Sequence, residues 1–135
     1  MTVIAANANT DGLVGVRVLV VEDDPFLLMD LETVLSDAGA IVVGLCRTLT
    51  EALARADEAD FSVAVLDFRL GSETVSPVAR QLESRGVPFI LYTAQARQEP
   101  GMTEWRHRAI LEKPSPPKAL LSAVREALAL TRGDA

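Results

Sequence analysis

A chain of 135 residues suits one domain with one core. Its 49% apolar content excludes a disordered chain, and its net charge of −6 argues against a nucleic-acid binder, whose affinity comes largely from neutralising phosphates. The single cysteine, Cys46, excludes an internal disulfide and fits a reducing compartment; inside an apolar run it reads as a small core residue.

The first residues, "MTVIAANANTDG", lack a basic start and a long apolar run, so they do not read as a signal peptide. Residues 1–15 are expected to be a flexible tail and 16–132 the folded domain. No apolar run is long enough to span a bilayer. "VRVLVV" (16–21) is short, β-branched and apolar, the mark of a strand buried on both faces. Asp24 then reads as an N-cap and Pro25 as the first residue of a helix. Leu27, Leu28, Leu31, Val34 and Leu35 share one face of that helix, and Gly39 closes it.

"AIVVGLC" (40–46) is a second strand. Thr48 and Glu51 have the spacing of a capping box for the helix that follows. "SVAVLDF" (62–68) is a third strand, Val75 to Arg85 a helix, and "VPFILYT" (87–93) a fourth strand. The next stretch, "AQARQEPGMTEWRHR", has few apolar residues and Pro100-Gly101 at its centre, so a full helix is not expected there. Its Arg106-His107-Arg108 cluster reads as a solvated loop, and Trp105 as a loop anchor or an interface residue. "AILEK" (109–113) is a fifth strand. Ser115 is expected to cap a last helix that carries Leu120, Leu121, Val124 and Leu128. Strands alternating with helices give an α/β fold, a (βα)5 doubly wound parallel sheet with a short or distorted fourth helix.

In such a sheet, ligands bind beyond the carboxyl ends of the strands. The first strand delivers Glu22, Asp23 and Asp24 there, the third Asp67, the fourth Tyr92 and Thr93, the fifth Lys113. Carboxylates gathered at one rim repel unless a cation offsets them, and hard oxygen ligands suit Mg²⁺. A metal beside an acid and a lysine makes a phosphoryl site. Asp67 is then the candidate nucleophile and Thr93 a candidate hydrogen-bond donor to a phosphoryl oxygen. Lys113 is one of only two lysines in the chain, so its place beside these acids carries weight. There is no Gly-rich phosphate loop, no His pair and no Cys cluster, which argues against P-loop, zinc and Ser-His-Asp chemistry.

"VVEDD", "VLDFRL", "YTA" and "EKP", in this order and at these strand ends, resemble the CheY-like response-regulator receiver domain of two-component signalling, in its stand-alone form. The resemblance covers about residues 16 to 131. It implies the flavodoxin-like strand order 2-1-3-4-5. It implies that Asp67 is phosphorylated and ligates Mg²⁺, with Asp23 a direct ligand, Glu22 acting through a water, and the Arg69 backbone carbonyl completing the protein ligands. Thr93 is then the switch hydroxyl, Ala94 the small residue that leaves room for the phosphoryl group, and Lys113 the phosphate partner, on a cis bond to Pro114.

Implied partners are a histidine kinase or a histidine phosphotransfer protein and an unknown downstream protein, with no nucleic acid and no membrane, in the cytoplasm. A homodimer is left open. The domain would be no enzyme beyond promoting its own phosphorylation and dephosphorylation. The family's frequent aromatic switch is replaced by Ile110. That departure motivates the alternative of a receiver-like binding module whose output does not depend on phosphorylation. An aspartate-nucleophile phosphatase is disfavoured, because Arg69 stands where its second acid belongs.

Overall fold

The computed structural model describes residues 12–58 and 60–131. Seven strands and four helices follow one another: β1 (Arg17–Val21), α1 (Pro25–Asp37), β2 (Ile41–Cys46), α2 (Leu49–Glu58), β3 (Val63–Leu66), β4 (Arg69–Leu70), β5 (Glu73–Thr74), α3 (Ser76–Ser84), β6 (Phe89–Thr93), β7 (Ala109–Glu112) and α4 (Pro117–Thr131). Two 3₁₀ segments, Ala96–Gln98 and Pro100–Trp105, lie between β6 and β7. The main sheet is parallel with order β2-β1-β3-β6-β7, and β4 and β5 form a separate two-stranded hairpin. Setting that hairpin aside, the main sheet has the expected order 2-1-3-4-5.

Side chains alternate across the central strands, which splits the core into two layers. Leu19, Val21, Ala64, Leu66, Phe89 and Leu91 face a layer built with α2, α3, Phe68 and Trp105. Val18, Val20, Val63, Val65, Ile90 and Tyr92 face α1 and α4, where Leu28, Leu31, Leu35, Leu120, Val124 and Leu128 close the second layer. Burying each such aliphatic side chain contributes about 1.5–3 kcal/mol, so the central strands are fixed strongly in register. Because the strands run parallel, their carboxyl ends share one rim.

The edge strand β2 carries a bulge: Val18 pairs with Val42 but Leu19 with Gly44. Arg55 from α2 crosses at this point, and a terminal nitrogen donates to the Val43 carbonyl at 2.8 Å. A Cβ on Gly44 would stand 2.9 Å from Arg55 Nε, so glycine makes room for the crossing.

Several local expectations are met. Asp24 accepts from the N–H groups of Phe26 (2.9 Å) and Leu27 (3.3 Å), as an N-cap does. Thr48 Oγ1 accepts from the Glu51 N–H, while Glu51 returns its bond to Arg47 rather than to the cap residue. Cys46 is buried, and burial pushes its thiol up to about 11.

Other expectations need correction. Ser115 does not cap α4: its hydroxyl donates to the Glu112 carbonyl at 2.6 Å, and the helix opens at Pro117. A residue before proline avoids the helical region, and both Ser115 and Pro116 precede one. The tail expected over 1–15 falls outside the described residues up to 11; residues 12–15 form a turn, and Leu13 is fully buried in the α1–α4 layer. Packing therefore starts before Val16.

The distorted fourth helix is the 3₁₀ pair. Pro100 has no N–H to offer a helix. Met102 and Trp105, three apart, fall on one side at the 3₁₀ period and both are buried. Trp105 is the loop anchor: its Nε1 donates to Ser76 Oγ at 3.1 Å, and its ring meets Phe89 edge-on at 5.8 Å. Gly101 passes so close to Phe68 that a Cβ would lie 2.9 Å from the ring. The basic cluster is also tethered rather than free: His107 and Arg108 both reach Glu83, at 2.8 and 2.9 Å, and Arg108 lies over the Phe89 ring.

Candidate functional site

Three backbone bonds position two of the acids and the lysine. Glu22 N–H donates to the Cys46 carbonyl at 2.9 Å, and Asp67 N–H to the Val21 carbonyl at 2.8 Å. Lys113 N–H donates to the Thr93 carbonyl at 2.9 Å, extending the β6–β7 ladder by one residue. Strand ends, rather than flexible loops, therefore carry Glu22, Asp67, Thr93 and Lys113. The Lys113–Pro114 bond is cis.

Lys113 Nζ lies 2.8 Å from Glu22 Oε1 and 3.1 Å from Asp67 Oδ2. Glu22, Asp67 and Thr93 are buried, and Lys113 is nearly so. Burial is the main cause that pushes the Glu22 carboxyl up to about 7, with the Asp67 charge adding to it and Lys113 opposing it. For Lys113, burial pulls the ammonium down, but the hydrogen bond to Glu22 and the two carboxylate charges outweigh it, and the net shift is upward. Lys113 is thus a fixed cation shared by two acids.

Glu22, Asp23 and Asp67 each offer an oxygen within 4.8 Å of the others. Their remaining hydrogen bonds sort them. Glu22 has both oxygens engaged, one by Lys113 and one by the Asp24 N–H at 3.1 Å. Asp23 uses Oδ2 to accept from the Gly71 N–H at 3.0 Å, and Asp67 uses Oδ2 for Lys113. Oδ1 of Asp23 and of Asp67 take no hydrogen bond from the described residues.

The hairpin supplies a further oxygen. The Val75 N–H donates to the Phe68 carbonyl at 2.8 Å, which makes 68–75 a bonded pair of the antiparallel ladder. Bonded and non-bonded pairs alternate, so Arg69–Thr74 is a non-bonded pair and the Arg69 carbonyl points away from β5. Two open carboxylate oxygens, one outward carbonyl and a third acid already satisfied fit a hard divalent cation that keeps several waters. Three carboxylates against one ammonium also leave an excess of negative charge for such an ion to offset.

Of the residues expected at the rim from sequence, Glu22, Asp23, Asp67, Thr93 and Lys113 lie there together, and Asp24 and Tyr92 turn elsewhere. Thr93 Oγ1 donates to the Ala94 carbonyl at 3.3 Å, a long bond. Asp24 belongs to α1, as its capping bonds show. Tyr92 points the other way, into the α1–α4 layer, where its hydroxyl accepts from the Ser115 N–H.

Sequence reasoning missed three neighbours. Gly71 holds Asp23. Arg47, just past the end of β2, reaches the Asp23 carbonyl at 3.4 Å. Glu99 pairs with Arg69 at 2.6 Å. A signal existed for the first: Gly-Ser between two short extended pieces is a two-residue hairpin turn. No local signal announces the other two.

A family model of the response regulator receiver domain matches residues 18–125. The phyllosphere-induced regulator PhyR of Methylorubrum extorquens is 31% identical over 122 residues, covering 83% of this chain and 43% of that protein. The chain therefore spans less than half the length of this curated relative. Among solved structures, the response regulator PhyR of Brucella abortus superposes with a TM-score of 0.78 at 23% identity, over 98% of this chain and 56% of that one. At that identity the likeness speaks for the fold alone. SdrG of Sphingomonas melonis superposes with a TM-score of 0.72 at 32% identity, over 87% of this chain and 97% of that one.

Proposed function

The chain belongs to the response-regulator receiver family, and from that premise we propose that it accepts a phosphoryl group on Asp67 and signals by protein–protein contact. The observation that carries this reading is Lys113, held between Glu22 and Asp67 at 2.8 and 3.1 Å on the rim where Asp23 and Thr93 also lie. We assign the activity to residues 16–132, with Leu13 as a packed extension. The donor is a phosphohistidine on a kinase or a phosphotransfer protein, and the setting is the cytoplasm. No helix among the described residues is long and apolar enough to cross a membrane.

One oxygen of Asp67 attacks phosphorus in line. A P–O bond forms as the donor's P–N bond breaks, and the electron pair leaves on the imidazole. Asp23, Asp67 and the Arg69 carbonyl are the residues to hold Mg²⁺, with Glu22 acting through a water. Bound there, Mg²⁺ supplies positive charge that phosphoryl oxygens need. Lys113 stays charged throughout and pairs with the phosphoryl group once Asp67 has given up its own charge. Thr93 turns its hydroxyl from the Ala94 carbonyl to a phosphoryl oxygen, and exposed Ala94 leaves that space clear.

The test is incubation with a small phosphodonor and Mg²⁺, read by intact mass. The expected result is a single phosphoryl adduct that is absent in Asp67→Asn and on chelation. An unmodified wild-type chain overturns the reading.

Ile110 favours a second reading, a binding module whose output ignores phosphorylation. It packs against the core in the place where the family often has an aromatic, so rotation of a ring at that position is unavailable. This reading gains if phosphorylation changes affinity for a captured partner less than twofold, and loses if Asp67→Asn abolishes signalling in cells. Some PhyR proteins are described as anti-anti-sigma factors. They are about twice as long as the stretch this chain matches, with 55% and 54% covered, so an anti-sigma partner is a candidate to include in that capture.

A further inference from the structure

We propose that the Gly71 N–H is a positioning group for the metal ligand Asp23, so that the β4–β5 hairpin and metal occupancy are coupled. The inference rests on the metal-dependent reading above and adds the element that aims one ligand.

The geometry of the turn makes the donor available. Leu70 pairs with Glu73, so Gly71 and Ser72 are the two central residues of the hairpin. Gly71 has φ +63, and Ser72 is not in the left-handed region, which is the pattern of a type II′ turn. In such a turn the N–H of the first central residue makes no bond within the hairpin. It points out of the ladder, and here it reaches Asp23 Oδ2 at 3.0 Å. That bond engages one oxygen of the carboxylate and leaves Oδ1 without a hydrogen bond from the described residues. Ligating carboxylates are commonly held in this way, and losing the holder typically lowers metal affinity 10–100-fold.

The same hairpin is tied at its base. Arg69 pairs with Glu99 in the 3₁₀ region at 2.6 Å, and the Phe68–Val75 bond closes the ladder above the core. A two-strand strap thus links the metal ligand Asp23 to the segment that replaces the fourth helix. Position 71 itself has open space: no atom lies within 4 Å of a Cβ built there. A side chain would be opposed only by the backbone conformation, whose positive φ a β-branched residue tolerates least.

The experiment measures Mg²⁺ binding by isothermal titration for the wild-type chain, Gly71→Val and the turn control Ser72→Ala. The control should stay within about twofold of wild type, and valine should bind at least about tenfold more weakly. Far-ultraviolet circular dichroism and a thermal melt without metal check that each variant is folded. Equal affinity in a folded Gly71→Val overturns the inference and leaves the phosphoacceptor reading standing. A wild-type chain that binds no Mg²⁺ overturns both.

Amide exchange on the wild-type chain gives a second readout that needs no substitution at Gly71. The Gly71 amide should be protected without metal, and Asp23→Ala should remove that protection while leaving the Val75 amide protected. A Gly71 amide that exchanges as fast as an open loop in the wild-type chain overturns the inference as well.

Discussion

At the rim, Lys113 meets Glu22 and Asp67 with side-chain exposures of 18%, 1% and 8%; along residues 96–108, Arg80 meets Glu104 with exposures of 58% and 45%, and the Arg69–Glu99 and Arg108–Glu83 pairs, each with at least one partner more than a third exposed, lie between these extremes. The distances are alike and the physics is opposite. At the rim, desolvation raises Glu22 and makes the acid pair costly to maintain without a cation. On the segment, solvent screens each pair, and such pairs contribute little. On the phosphoacceptor reading proposed above, bound Mg²⁺ would relieve the electrostatic tension at the rim. A loop needs only register, and the buried indole of Trp105 provides that.

If the segment depends on its indole rather than its ion pairs, Trp105→Ala should have the largest effect. Loss of a fully buried aromatic side chain typically costs about 3–5 kcal/mol, and chemical denaturation followed by circular dichroism reads it. The next effect tests the rim. Lys113→Ala leaves two buried acids facing each other. A fully buried pair would cost ~3–5 kcal/mol to break; because Lys113 keeps some solvent contact, about 2 kcal/mol is expected with metal chelated at pH 8.

The pH dependence has a definite sign. The folded Glu22 carboxyl titrates at about 7, against 4.5 ordinarily, so the fold binds this proton more tightly than the unfolded chain does. The stability that this proton contributes is fully present below the ordinary carboxylate range and is lost as pH rises through about 7. Added Mg²⁺ should therefore raise the melting temperature more at pH 8 than at pH 6, and the Lys113→Ala penalty should be larger at pH 8. Equal Mg²⁺ shifts at the two pH values would mean that Glu22 carries no such burden.

Asp24→Ala should cost about 1 kcal/mol through the lost cap yet leave the phosphoryl adduct intact, since its side chain bonds only within α1. The smallest effect belongs to Arg80→Ala, which should leave the melting temperature unchanged within error at high salt. A clear loss there would make the surface pairs more important than their exposure allows.

The strands and their rim were legible because two independent signals coincided. Buried parallel strands are short β-branched runs, and each run ended in a residue with chemistry: Glu22 and Asp23, Asp67, Thr93, Lys113. Asp24 was separable from its neighbours because Pro25 follows it. The hairpin was hidden because strands of two residues, 69–70 and 73–74, are too short to show alternation. Trp105 was ambiguous because its partners, Ser76 and Phe89, are 29 and 16 positions away. The misplaced cap at Ser115 shows a local rule losing to another: serine favours caps, but two successive prolines delay the helix.

The Arg55 crossing at the β2 bulge has a consequence for how copies of this chain can meet. β2 is one of the two open margins of the main sheet, the other being β7, and at such margins backbone groups invite a neighbour's strand to add. Arg55 occupies the Val43 carbonyl on that margin, and the bulge twists it away from the flat shape that strand addition needs. Two copies joining side by side through continuous sheets would first have to dislodge a guanidinium that also pairs with Glu58 and Asp60. The β2 margin is thus obstructed against fibre-like strand addition by a side chain that the sequence anchors on the neighbouring helix.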